Sequence, residues 1–96
     1  MYSIEYTNQF KKDLKRCQKQ GRDLSLIHTT ISLLSQTGTL PPEYKAHKLL
    51  GSYKGKWECH IQSDWILIWE QFNNELRMIM TNTGTHAELF KNNTDQ

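Results

Sequence analysis

The spacing of apolar residues changes along this chain from strand-like to helical and back. "YSIEY" at 2–6, rich in aromatic and β-branched residues, reads as a first strand. Beyond it Phe10, Leu14 and Cys17 recur at i, i+4 and i+7, with Lys11, Lys12, Lys15, Arg16 and Lys19 around the rest of the turn, which predicts an amphipathic helix. Thr7 is placed to cap that helix and Gly21 to stop it. Asp23 caps a second helix whose stripe, Leu24, Ile27, Ile31 and Leu34, runs to about Gln36 before Gly38. Only a few residues join the two, so they should lie antiparallel.

"TLPPEYKAHKLLGSYKG" contains two prolines and two glycines and is predicted to be an extended crossing segment. "KWECHI" at 56–61 then alternates, Trp57, Cys59 and Ile61 facing one way and Lys56, Glu58 and His60 the other, as in a half-buried strand. "DWILIWEQF" at 64–72 is continuously apolar in its middle, which suits a central strand covered on both faces. Asn73-Asn74 predicts a tight turn, because asparagine tolerates positive φ, and "ELRMIMTNT" at 75–83 is the next strand. "TGT" should turn the chain into a short final helix. The order is β-α-α-β-β-β with a short C-terminal helix. It gives an α+β layer in which the helical hairpin packs on one face of a small, mainly antiparallel sheet and leaves the other face partly open.

A chain of 96 residues makes one domain, 1–96, with 1–90 ordered and 91–96 as a disordered tail. It has no apolar run near the roughly 18 to 20 residues that span a bilayer, and its N-terminus lacks the apolar core of a signal peptide, so a cytoplasmic location and no membrane partner are expected. Cys17 and Cys59 show no zinc-binding spacing and are expected as small buried hydrophobes; neither metal nor cofactor is expected. The net charge of +2 conceals an imbalance: residues 1–56 hold ten Lys/Arg against four Asp/Glu, and residues 57–96 two against six. A basic front half would attract RNA or an acidic partner, and would equally serve as a solvated helix face.

Three of the four histidines, His47, His60 and His86, fall after residue 45 in company with Glu58 and Asp64. Glu58 and His60, two apart on a strand, share a face at roughly 6 to 7 Å. Asp64 begins the next strand, and a meander would bring His86 near His60. Each also has a plain structural reading: Asp64 as a turn stabiliser, Glu58 and His60 as a wet strand face, His47 as a loop residue. His28 is assigned nothing, and the three tryptophans read as packing. Cleavage of RNA by its own 2′-hydroxyl needs a base, an acid and cations at the phosphate. Histidine, with an ordinary pKa near about 6.5, suits the first two roles, and Lys48, Lys54 and Lys56 could supply the third. No metal is needed for that chemistry, and phosphate-loop, nucleophile-elbow and dinucleotide motifs are missing.

"LPPEYKAHKLLGSYKGKWECHIQSDWILIWEQF" followed by "TGTHAELF" resembles the YafQ branch of the RelE/ParE superfamily of bacterial toxins from type II toxin-antitoxin pairs, across about residues 2–90. The resemblance implies a RelE-like fold and a ribosome-dependent mRNA interferase that enters the ribosomal A site, cuts mRNA, and is neutralised by a DinJ-like antitoxin. It implies that His86 is the principal acid/base histidine, that His47 and His60 are further active-site histidines, that Asp64 is the family's aspartate, and that Phe90 is an aromatic at the site. The chain departs from the pattern at Asn82, where many members carry arginine just before "TG". Two other functions stay open: a ParE-like or catalytically silent module acting by partner binding, and a plain RNA-binding domain using the basic helices.

Overall fold

The computed structural model describes residues 1–90; the tail predicted for 91–96 lies outside the described residues. In chain order its elements are β1 (Ser3–Tyr6), α1 (Asn8–Lys19), α2 (Leu24–Thr37), β2 (His47–Lys48), β3 (Trp57–Gln62), β4 (Trp65–Phe72), β5 (Arg77–Gly84) and α3 (His86–Phe90). One five-stranded sheet runs β1-β5-β4-β3-β2. β1 lies parallel to β5, and every other pair is antiparallel. The α1–α2 hairpin is the crossover that carries the chain from β1 toward the far edge.

The caps fall where side-chain chemistry placed them. Thr7 Oγ1 accepts the amide of Phe10 at 3.0 Å and Asp23 Oδ1 that of Ser25 at 3.0 Å, each satisfying a first-turn donor. Gly38 closes α2 in the left-handed conformation, φ 78°. Phe10, Cys17, Ile27, Ile31 and Leu34 from the helices pack against Cys59, Trp65, Leu67, Trp69, Met78 and Met80 of the sheet. Both cysteines are free and buried. Ile66 and Ile68 point away from this core and are buried as well, so β4 is covered on both faces, as its continuous apolar run predicts.

Three local expectations change. The crossing segment supplies β2, whose two residues pair His47 with Glu58 and Lys48 with Trp57. The hairpin before β5 is not a two-residue asparagine turn: a helical turn over Asn73–Glu75 is followed by Leu76 at φ 49°, and Leu76 donates its amide to the Asn73 carbonyl at 3.3 Å. A loop of this length needs its left-handed residue last, to redirect the chain into the strand, so the positive φ falls on leucine.

The third change concerns Gly84, which stays in β5 beside Thr83 and pairs with Ile66 instead of turning. β1 ends its pairing at Met80, and beyond that α1 side chains finish the strand edge. Asp13 Oδ2 accepts the Thr83 amide at 3.1 Å, and Arg16 Nη2 donates to the Thr83 carbonyl at 2.7 Å. Edge groups left bare by a short neighbouring strand are thus satisfied from the helix above.

Candidate active site

Cross-strand partners in a sheet share a face, so the register assembles the site before any side chain is considered. One row of partners is His47, Glu58, Ile68 and Asn82; the next is His60, Ile66 and Gly84, with His86 two residues further on. Glu58 sits at the centre with 3% of its surface exposed. Its Oε1 lies 3.2 Å from His47 Nε2 and 3.9 Å from His60 Nε2, and its Oε2 lies 3.2 Å from His86 Nε2. The wet strand face considered for Glu58 is therefore replaced by a buried position, because β2 and α3 bring an imidazole over it from each side.

The outer nitrogens are held too. His47 Nδ1 lies 2.8 Å from the Lys45 carbonyl, which can only accept, so that nitrogen carries hydrogen and Nε2 is the one turned to Glu58. His86 Nδ1 lies 3.7 Å from Asp64 Oδ1, in the turn between β3 and β4. The rings of His60 and His86 approach to 5.6 Å between centroids. His86 stacks on Phe90 at 5.7 Å, and Phe90 meets the edge of Tyr53 at 5.0 Å. Tyr53 also donates its hydroxyl to the Leu89 carbonyl at 3.2 Å, tying the crossing segment to α3. Tyr53 went unremarked in the sequence because nothing local in "GSYKG" marks it.

The lysines divide. Lys56 Nζ lies 5.7 Å from the Tyr53 ring centre, on the flank that leads through Phe90 to His86. Lys48 is carried to the opposite face, with Nζ 5.7 Å from the Trp57 ring, since it follows His47 directly in a strand. Lys54 is exposed in the connection before β3.

A second polar cluster lies beneath α3. Arg16 bonds Asp13 Oδ1 at 3.0 Å, and its Nε lies 3.3 Å from Glu88 Oε2. Glu88 Oε1 accepts the Thr85 amide at 2.9 Å while Thr85 Oγ1 accepts the Glu88 amide at 3.0 Å, a reciprocal cap that fixes α3 and with it His86. Glu88 is held below the usual carboxylate value: desolvation raises it, and the Thr85 amide, the Gln20 amide and Arg16 together outweigh that. Gly84 faces the same guanidinium. Arg16 reads in the sequence only as part of a basic helix surface, and nothing there marks Asp13.

Three imidazoles and a carboxylate that meet in this way can take up, pass and deliver protons at a polar substrate. Glu58, His60 and His86 also offer ligating atoms that all lie within 4.8 Å of one another. Spacing rules in the sequence could not find this set, since β3 supplies only Glu58 and His60 and the third member, His86, comes from α3. Among the described residues no helix is long and apolar enough to cross a membrane.

The sequence profile described as "bacterial toxin of type II toxin-antitoxin system, YafQ" matches residues 2–91. The chain is 43% identical over 88 residues to the mRNA interferase toxin YafQ of Escherichia coli K12, a match that covers 91% of this chain and 94% of the relative. In the DinJ-YafQ toxin-antitoxin complex of E. coli, a chain 40% identical superposes with a TM-score of 0.83 over 93% of this chain and 97% of that one. A metal-bound toxin from Helicobacter pylori, 37% identical, superposes with a TM-score of 0.85 over 94% of this chain and 100% of its own. With the α+β fold, the helical hairpin and nearly the full length in common, this chain belongs to the YafQ family of bacterial toxins from type II toxin-antitoxin systems.

Proposed function

We propose that this toxin is an mRNA interferase: an endoribonuclease that cuts messages on the ribosome by general acid/base catalysis, without a metal, and so stops translation. The observation that carries the reading is the convergence of His47, His60 and His86 on one buried carboxylate, Glu58. In the reaction one imidazole takes the proton of a ribose 2′-hydroxyl as its oxygen attacks the adjacent phosphorus. The bond to the 5′ oxygen breaks, and a second imidazole delivers a proton to that oxygen, leaving a 2′,3′-cyclic phosphate and a free 5′-hydroxyl. Glu58 spans His47 and His86 and can hold the proton balance between them. Asp64 orients His86, and Phe90 offers a face for a base. Asn82 shares a row with Glu58 and His47, so a neutral amide stands where many family members place a guanidinium; the cationic charge at the phosphate falls to Lys56 and to whichever imidazole is protonated.

The partner we infer is an antitoxin of the DinJ kind, by analogy with the E. coli complex, attracted by the basic front half of the chain. Induced expression of the wild-type chain should arrest growth, and primer extension on a translated message should show new 5′ ends. His86→Ala should do neither while still copurifying with its antitoxin. Equal toxicity of the two proteins would remove the reading, and cuts appearing equally on an untranslated message would remove its dependence on the ribosome.

A second reading, that the same cluster accepts a metal ion, is favoured by the three ligating atoms on Glu58, His60 and His86 and by the metal-bound state of the H. pylori relative.

A further inference from the structure

We infer that the groove beside His60 is a base-reading subsite: it takes the base of one nucleotide adjoining the scissile phosphate, and Glu43 selects there for an exocyclic amino group and against uracil. The inference rests on the nuclease reading above, and its test separates the two.

The groove exists because β2 is short. β2 pairs with β3 only at Trp57 and Glu58, so from Cys59 to Gln62 the outer edge of β3 has no strand beside it. The helical turn at Pro42–Tyr44 and the residue after it border that space instead. What remains is a hollow of about 440 Å³ lined by Glu43, Lys45, His60, Ile61, Gln62 and Ser63. Sites that hold small molecules usually measure roughly 300 to 1,000 Å³. His60 belongs to the hollow and to the catalytic cluster alike, with its Nε2 3.9 Å from Glu58 Oε1. An RNA strand whose phosphate lies at the imidazoles therefore brings a neighbouring base to the hollow.

The lining is polar in the way that reading a base requires. The Glu43 carboxylate only accepts hydrogen bonds, the Lys45 ammonium only donates, and Gln62 and Ser63 do both. Among the described residues neither Glu43 nor Lys45 forms an ion pair, so both charges are available to a ligand. Ile61 adds apolar surface for the ring.

Two backbone features hold these groups beside the histidines. Lys45 has φ 52°, a left-handed conformation uncommon outside glycine, and its carbonyl meets His47 Nδ1 at 2.8 Å. The register of β3 against β4 shifts between His60 and Gln62, an irregularity of the kind that re-aims side chains next to active sites.

Chemistry then decides which base fits. Single-stranded RNA is read on the Watson–Crick edges of bases splayed out of the stack. Adenine, cytosine and guanine each present an amino group there, which a carboxylate accepts. Uracil presents one N–H between two carbonyl oxygens, and both oxygens repel the Glu43 charge. An amide at this position would remove the bias, because its NH₂ group donates to those oxygens.

The test measures base choice twice. New 5′-hydroxyl ends are first mapped across translated messages after induction of the wild type, of Glu43→Gln, and of Lys12→Gln on the exposed side of α1. Uracil should be depleted at least about fivefold at one fixed position beside the wild-type and Lys12→Gln cuts, and should return to its background frequency in Glu43→Gln. The full chain, free of antitoxin, is then titrated by NMR with 2′-O-methyl tetranucleotides of adenine or of uracil, which lack the attacking hydroxyl. The adenine oligomer should bind at least about fivefold more tightly and shift the amides of Glu43 and Gln62, and Glu43→Gln should erase the difference. Uracil found freely beside wild-type cuts, or base choice unchanged in Glu43→Gln, would overturn the subsite and leave the nuclease reading standing. If the wild type cuts nothing, the nuclease reading fails and the titration judges the groove alone: equal affinity for the two oligomers, or a preference undiminished in Glu43→Gln, would overturn it.

Discussion

Two carboxylates among the described residues are almost wholly buried, and they are met by opposite kinds of partner. Asp13, 1% exposed, receives the Gln9 amide at 2.9 Å, the Arg16 guanidinium at 3.0 Å and the Thr83 main-chain amide at 3.1 Å. None of these gives up a proton near neutrality. Glu58, 3% exposed, is met by three imidazoles, any of which can. Both carboxylates give up hydration on folding. At Asp13 fixed donors offset the loss and the result is geometry: a strand end and a short helix locked together. At Glu58 the offset depends on protons that move, which suits a site of reaction better than a brace.

The largest expected effect sharpens this contrast. Glu58→Gln keeps the shape but cannot accept a proton or carry the negative charge, and on the proposed mechanism it should slow cleavage of a translated message about a hundredfold to ten-thousandfold. Its unfolding free energy, measured in urea, should move by no more than about 1 kcal/mol. Asp13→Ala should do the reverse, costing about 3 kcal/mol in the same denaturation experiment by leaving Arg16 and the Thr83 amide without their acceptor. A cost below about 1 kcal/mol would mean that Asp13 braces nothing.

Acid should loosen the Asp13 side of the molecule through Glu88. A carboxylate held below its ordinary value of 4.5 stabilises the fold fully above that value, and the contribution is lost as pH falls through the lowered one. The melting temperature should therefore drop below about pH 4.5, and Glu88→Gln should flatten that part of the profile. The smallest effect reports on Glu58 itself. Burial first, and the Glu58 charge second, push the Cys59 thiol up to about 12. Thiolate absorbance should stay absent in the folded protein at pH 9, and in Glu58→Gln its onset should shift to lower pH.

Much of the fold was legible because amphipathic periods and caps act locally. The stripes Phe10-Cys17 and Ile27-Ile31-Leu34 became the helix side of the core, and Thr7, Asp23 and Gly38 cap as their chemistry dictates. What escaped depends on meetings between distant segments. A two-residue strand has no period to detect, yet β2 is what sets His47 opposite Glu58. Asp13 and Arg16 look like any exposed charges on a basic helix until β1 proves too short to cover Thr83. The convergence of the histidines was foreseeable from the family resemblance and from the meander. The burial of Glu58 was not, because it results from three elements closing over one residue.

The glycine of "TGTH" gains meaning from what lies behind it. A β-carbon at Gly84 would run into Arg16 Nη2 and come within 2.8 Å of Glu88 Oε1. The empty space at this one residue is a keyhole through which the guanidinium reaches the sheet. Filling it with even a methyl group would wedge the terminal helix outward and carry the imidazole ring at 86 off its mark, although no reacting atom had been touched.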